Sequence, residues 1–224
     1  MKTGLNKKVG VVLAGCGVKD GSEIHESTLT LLFLDQARAE TIIMSPNAPQ
    51  MDVINHLTEE PMPAEQRNAL IEAARIARRN IRDIKRVSFQ DIDALIIPGG
   101  YGIAKNLCDF AVKGENFTVN PDLEKLIIEM HQAKKPIGFI CLAPVIAAKV
   151  LGKYHPQLTI GNDESTAQVI ENLGAKHVVC DVEDTVVDPE NKVVTTPAYM
   201  LGPSIAYIAR GIEKLIKDIL ELIE

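Results

Sequence analysis

The chain has 224 residues, 46% of them hydrophobic, enough to bury a sizeable core within one domain. A formal charge of -6 from interleaved acidic and basic residues, with 4% aromatic residues and no tryptophan, argues against a nucleic-acid surface. No apolar run approaches the roughly 20 residues of a membrane span, and Cys16, Cys108, Cys141 and Cys180 show neither a C-x-x-C pair nor a metal spacing. Together these features predict a cytoplasmic protein with reduced thiols, no metal, and no membrane or nucleic-acid partner.

Val9 to Ala14 predicts a first strand, followed by the glycine loop Gly15 to Gly21 and a helix over Ser22 to Gln36. Thr41 to Met44 is the second strand. From Pro46 to Asp91 the alternation is broken by Pro49, Pro61 and Pro63, then by a helix predicted over Pro63 to Arg79. That stretch, about 46–91, reads as an insertion in a single domain spanning 1–224, because it has too few strands to close a core of its own. Ala94 to Ile97 is a strand running into Pro98-Gly99-Gly100-Tyr101-Gly102, and Cys108 falls in an apparent helix. Asp122 to Ala133 predicts an outer helix with His131 on its surface. Pro136 to Ile140 is a buried strand, Ala143 to Leu151 a helix, Leu158 to Ile160 a strand and Ser165 to Leu173 a helix. Val178 to Cys180 and Val186-Val187 read as short strands, with Asp188 to Asn191 turning into the strand Val193 to Thr196 as an edge hairpin. The last helix, Ser204 to Ile223, carries one stripe of isoleucines and Leu215. This alternation is the signature of an α/β fold with a largely parallel sheet covered on both faces.

The strand ending at Cys141 turns into a helix with no loop between, and Pro144 suits that helix's first turn. Such a corner pushes its side chain above the sheet and faces it with free helix-terminal amides, which favour a thiolate. The amides of Gly100 and Leu142 could form a two-donor hole for a developing alkoxide. The first glycine loop fails as a dinucleotide fingerprint, since its spacing is G-x-G-x-x-x-G and no acidic residue ends the second strand. Cys16 remains a rival nucleophile because its loop borders the same crevice. Of the five histidines only His25 lies near that crevice, beside Glu26, so the thiol's nearest acid/base partner is expected to be a carboxylic acid.

Gly21-Ser22-Glu23-Ile24-His25-Glu26, Pro98 to Gly102 and Ile140-Cys141-Leu142-Ala143-Pro144 together resemble the PfpI-like superfamily of class I glutamine amidotransferase-like domains. Gly15-Cys16-Gly17, Val53 to Thr58, Asn68 to Arg75 and Thr195 to Leu201 look like its ElbB branch, the isoprenoid-biosynthesis glyoxalases, and this similarity spans nearly the whole chain. The resemblance implies a flavodoxin-like three-layer sandwich, no cofactor and a homodimer. It also implies Cys141 as nucleophile, Glu26 as the acid contacting its sulfur, and Glu23 as a second acid near the pocket. Gly161-Asn162-Asp163 stands where many relatives place a histidine, which weakens a protease or amidase reading.

The expected activity is conversion of glyoxal, or a similarly small 2-oxoaldehyde, to its 2-hydroxy acid through a Cys141 hemithioacetal, without glutathione. Glu26 is the expected base and His25 the second choice, with Glu23, Gly99, Gly100, Leu142 and Tyr199 around the small aldehyde substrate. The alternatives are a non-catalytic or redox-sensing protein linked to isoprenoid biosynthesis, and a glutaminase subunit serving a partner.

Overall fold

A computed structural model describes residues 5–224 of the chain. The strands are β1 (Lys8–Val12), β2 (Glu40–Ser45), β3 (Arg82–Asp83), β4 (Ala94–Ile97), β5 (Ile137–Ile140), β6 (Gln157–Leu158), β7 (Lys176–His177), β8 (Val186–Asp188) and β9 (Val193–Thr196). The α-helices are α1 (Ile24–Gln36), α2 (Ala69–Ile76), α3 (Phe110–Lys113), α4 (Pro121–Gln132), α5 (Pro144–Leu151), α6 (Glu164–Asn172) and α7 (Ile205–Leu222). Seven strands form one sheet in the order β3-β2-β1-β4-β5-β9-β8, parallel except for β8, and β6 pairs with β7 separately.

Alternating side chains along each strand feed two apolar layers. Val9, Val11 and Leu13 point to the layer holding α1 and α7, whereas Val12 and Ala14 point to the layer holding α4 and α5. Ala94 and Ile96 divide from Leu95 and Ile97 in the same way. The stripe read on the last helix is buried at Ile208, Ile212, Leu215, Ile216 and Ile219. A fully buried side chain of this kind contributes about 1.5–3 kcal/mol. Gly138 allows the close approach, since a Cβ there would lie 3.1 Å from a Leu215 methyl. The fold is thus the expected α/β, flavodoxin-like sandwich.

Local hydrogen bonding moves several boundaries. The helix expected over Pro63 to Arg79 begins only at Ala69, because the Asn68 side chain accepts from the amides of Leu70 and Ile71 and fixes the N-terminus there. It stops at Ile76, before Arg78 and Arg79 adopt φ of 49° and 73°. The segment 46–91 contributes α2 and the edge strand β3, paired in parallel with β2. Val178 to Cys180 is not a strand: the pairing falls on Lys176–His177 instead, and Val179 is exposed. The β8–β9 hairpin forms as expected, its turn held by Asp188 accepting from the amides of Glu190 and Asn191.

Two side-chain expectations change as well. His131 is buried rather than on the surface, its Nε2 sitting 3.1 Å from Asn191 Oδ1 and its ring against Tyr154. Cys108 caps a π-helical turn, Ile103–Leu107, instead of lying within an α-helix. Its thiol donates to the Ile103 carbonyl, and burial pushes its pKa up to about 12.

Candidate active site

The chain leaves β1 for β2 and β3, then returns to the other side of β1 as β4. That reversal opens a crevice at the carboxyl ends of β1 and β4, beside the end of β5. The three loops singled out by the sequence, after β1, β4 and β5, lie along this edge.

The corner after β5 is sharp. Cys141 has φ of 61°, and its amide donates to the Thr196 carbonyl of β9 at 3.0 Å. Ala143 donates back to Ile140, and Pro144 opens α5 as its first residue. A non-glycine residue held at this φ costs roughly 1–3 kcal/mol, so the neighbouring structure must impose it.

The loop after β4 is tied to the loop after β1 by three backbone bonds: Glu23 to Gly99, Tyr101 to Val18 and Gly102 to Gly21. Gly100 has φ of 104°, and a Cβ there would lie 2.5 Å from both the Glu23 amide and the Gly21 carbonyl. A Cβ on Gly99 would meet Cys141 Cβ and Glu26 Oε2, each at 2.5 Å. These glycines let the loop close down on the thiol and on Glu26.

Glu23 caps α1, its Oε2 accepting from the Glu26 amide at 2.6 Å, so the capping role and the cleft-lining role coincide in one residue. Glu26 follows in the first turn with no exposed surface, its Oε2 accepting from Gly99 N at 2.9 Å and its Oε1 from Tyr199 N at 3.3 Å. Burial, then the charge of Glu23, pushes the Glu26 carboxyl up to about 7, against the opposing bonds from Tyr199, Cys141 and Gly99. Burial also raises the Cys141 thiol well above its ordinary value, assisted by the charge and hydrogen bond of Glu26, while the amides of Gly100 and Leu142 pull the other way. The amides are present as expected, but desolvation outweighs them, so the free-standing thiolate expected from the helix terminus is corrected. Thiol and carboxyl instead form a coupled pair, and one negative charge shared between them is cheaper than two.

His25 is exposed, and its Nδ1 lies 2.7 Å from the Tyr199 hydroxyl. It therefore reaches the crevice through Tyr199, which lines the cleft together with Cys141, Glu23, Gly100 and Leu142, whereas Glu26 and Gly99 lie against Cys141 without lining the cleft. A cleft of about 440 Å³ opens above Cys141. Its walls also include residues given no role from the sequence: Tyr101, Phe110, Ala111, Ser165, Thr166 and Met200. They come from several elements spread along the chain, including α3 and α6, and share no local pattern. Asp163 also lines the cleft, but its carboxylate caps α6, accepting from Thr166 N and Ser165 Oγ, both at 2.8 Å; these bonds lower its pKa.

Cys16, the rival nucleophile, is not part of this wall. It is half-buried, and burial followed by the charge of Glu72 pushes its thiol up, with Arg75 opposing. Among the described residues no group of three or more His, Cys, Asp or Glu side chains is arranged to hold a metal ion, and no helix is long and apolar enough to cross a membrane.

No family model matches the chain. A human relative, the mitochondrial glutamine amidotransferase-like class 1 domain-containing protein 3, is 46% identical over 224 residues, covering 96% of this chain and 83% of that protein. The crystal structure of an isoprenoid biosynthesis protein with an amidotransferase-like domain from Ehrlichia chaffeensis is 35% identical with a TM-score of 0.88, over 96% of this chain and 99% of that one. A DJ-1 superfamily protein from Agrobacterium tumefaciens, 17% identical over 94% of this chain and 90% of its own, shares the fold with a TM-score of 0.54. The cytoplasmic expectation is overturned by these relatives: the human protein, like the rat and zebrafish ones, is named mitochondrial, and free thiols do not distinguish that compartment from the cytosol. At this level of identity and coverage, the chain belongs to the glutamine amidotransferase-like class 1 domain family.

Proposed function

We propose that this protein is a glyoxalase of the ElbB type, converting glyoxal or a similar small 2-oxoaldehyde to a 2-hydroxy acid without glutathione. One observation carries the reading: a cysteine at φ of 61° sits against a fully buried carboxyl raised to about 7, facing the amides of Gly100 and Leu142. The description of the Ehrlichia chaffeensis relative as an isoprenoid biosynthesis protein supports the ElbB-type placement.

The chemistry follows from the shared proton. Glu26 takes the thiol proton as the sulfur adds to one aldehyde carbon, and the carbonyl electron pair moves to oxygen. The two amides stabilise that alkoxide until Glu26 returns the proton, giving a hemithioacetal. Glu26, now a carboxylate, removes the C–H proton of the hemithioacetal while the hemithioacetal hydroxyl proton passes to the neighbouring carbonyl oxygen, giving an enediolate, and then delivers the abstracted proton to that neighbouring carbon. The product is a 2-hydroxy thioester of Cys141. Water adds to the thioester, the sulfur leaves with a proton, and the 2-hydroxy acid is released; the net change is aldehyde plus water to acid. A near-neutral carboxyl suits this work because each step needs Glu26 alternately as acid and base. Among the described residues no histidine lines the cleft, and His25 reaches it only through Tyr199, so Glu26 is taken as the base.

Incubating the purified protein with glyoxal and no added thiol tests the reading. Glycolate formed in proportion to enzyme is expected; absence of glycolate at high enzyme concentration would overturn it.

A further inference from the structure

The cleft is far larger than glyoxal requires. A water molecule takes about 30 Å³ of liquid, so glyoxal fills the space of about three, whereas the cleft measures about 440 Å³. That volume lies in the range of pockets that enclose whole drug-sized ligands. Its walls away from Cys141 are mainly apolar, formed by Val18, Tyr101, Ala104, Phe110, Leu142 and Met200. Phe110 is held in place edge-on to Phe117 with ring centroids 5.2 Å apart, and Phe117 is itself fully buried, so this wall is braced from behind.

The charge lining the cleft has one sign. Among the described residues, Glu23 and Asp163 are its ionisable carboxyls and no lysine or arginine lines it. Lys19 lies 5.9 Å from the Tyr101 ring, but its ammonium is paired with Glu59 at 3.2 Å. An anionic substrate would therefore meet like charge and no partner, a mismatch that specific sites use to exclude competitors.

We infer that the cleft takes an uncharged 2-oxoaldehyde bearing an aryl or branched alkyl group, with the dicarbonyl end at Cys141 and the apolar group against Tyr101, Phe110 and Met200. Aldehydes of similar size that carry a carboxylate or phosphate are disfavoured. This inference rests on the glyoxalase reading and narrows its substrate class. Tyr101, Phe110 and Met200 are then specificity residues, and Cys141 and Glu26 remain the chemical pair.

The experiment compares kcat/KM for glyoxal, phenylglyoxal and 4-carboxyphenylglyoxal, with Cys141→Ala as the blank for direct reaction with arginines. Phenylglyoxal is expected to exceed both others by about tenfold or more. Ala111→Phe, on the exposed helix α3 that walls the cleft, is expected to lower the phenylglyoxal-to-glyoxal ratio by about tenfold. Equal values for the three substrates, or a preference for glyoxal or the carboxylate, would overturn the inference while leaving glyoxalase activity standing. If none of the three is turned over, the glyoxalase reading itself fails. The cleft inference is then decided by protection of Cys141 from iodoacetamide, read by peptide mass spectrometry. Protection by phenylglyoxal at lower concentration than by the other two upholds it; equal protection overturns it.

Discussion

Cys141 and Cys16 both follow parallel strands at the same edge of the sheet, one after β5 and the other after β1, yet their surroundings differ in three physical respects. At Cys141 the cysteine itself takes the positive φ, whereas at Cys16 the flanking Gly15 and Gly17 take it, at 106° and 133°. The Cys141 sulfur faces the amides of Gly100 and Leu142, while in the Cys16 loop the amides of Gly17 and Gly21 are consumed by Ser22 and Gly17 carbonyls. Cys141 shares its proton with a buried carboxyl; Cys16 faces Glu72 and Asp20, offset by Arg75 and Arg67. A cysteine at the carboxyl edge of a parallel sheet is therefore not by that fact a nucleophile. The turn must aim the sulfur, leave amides free for the oxyanion, and supply a group that can hold the proton.

The largest expected effect separates the two thiols outright. Cys141→Ala should lower glyoxal turnover by about a thousandfold or more, since it removes the covalent route. Cys16→Ala should leave it within about threefold; a large loss there would move the site to the other loop.

The next effect concerns the acid half of the pair. Glu26 is raised from 4.5 to about 7 in the folded chain, so between those values the native state binds more protons than the unfolded state. Stability contributed by the neutral carboxyl is then fully present below about pH 4.5 and lost as pH rises through about 7. Against Glu26→Gln, whose side chain does not titrate, wild type should lose about 3 kcal/mol of unfolding free energy across that window. Urea unfolding of both proteins at several pH values measures this, and a constant difference between them would show that Glu26 ionises as freely as in the unfolded chain.

A smaller effect tests the glycine loop. Gly100→Ala should cost at least about 2 kcal/mol more than Gly114→Ala. Both glycines have positive φ, but only the first would bring a Cβ against backbone, while nothing lies within 4 Å of the second. Equal midpoints of chemical unfolding for the two variants would mean that the loop after β4 relaxes freely.

Much of the reactive corner was legible because it is local. An apolar run, a cysteine and Pro144 within a few residues define strand, corner and helix start, and the period of the last helix defines its buried stripe. Glu26 was legible through its place one turn into the helix after the first strand. What the sequence concealed depends on partners far along the chain. His131 is buried by Asn191, sixty residues away, and nothing in its own helix announces this. β3 is two polar residues, Arg82 and Asp83, with no apolar alternation to read. The apolar run Val178 to Cys180 suggested a strand, but the ladder forms where β6 finds backbone partners, at Lys176–His177. The elevated thiol was hidden for the same reason, since the helix-terminal amides are visible in the sequence but the depth of burial that opposes them is not.

The pH dependence of kcat/KM for glyoxal conversion to glycolate, without added thiol, tests most directly whether Cys141 and Glu26 act as one unit. The reactive form of the pair holds a single proton, so kcat/KM should rise through about pH 7 and then level off, and that rise should be absent in Glu26→Gln. A profile flat through pH 7 in wild type, or the same rise surviving in Glu26→Gln, would contradict a shared proton between this cysteine and this carboxyl.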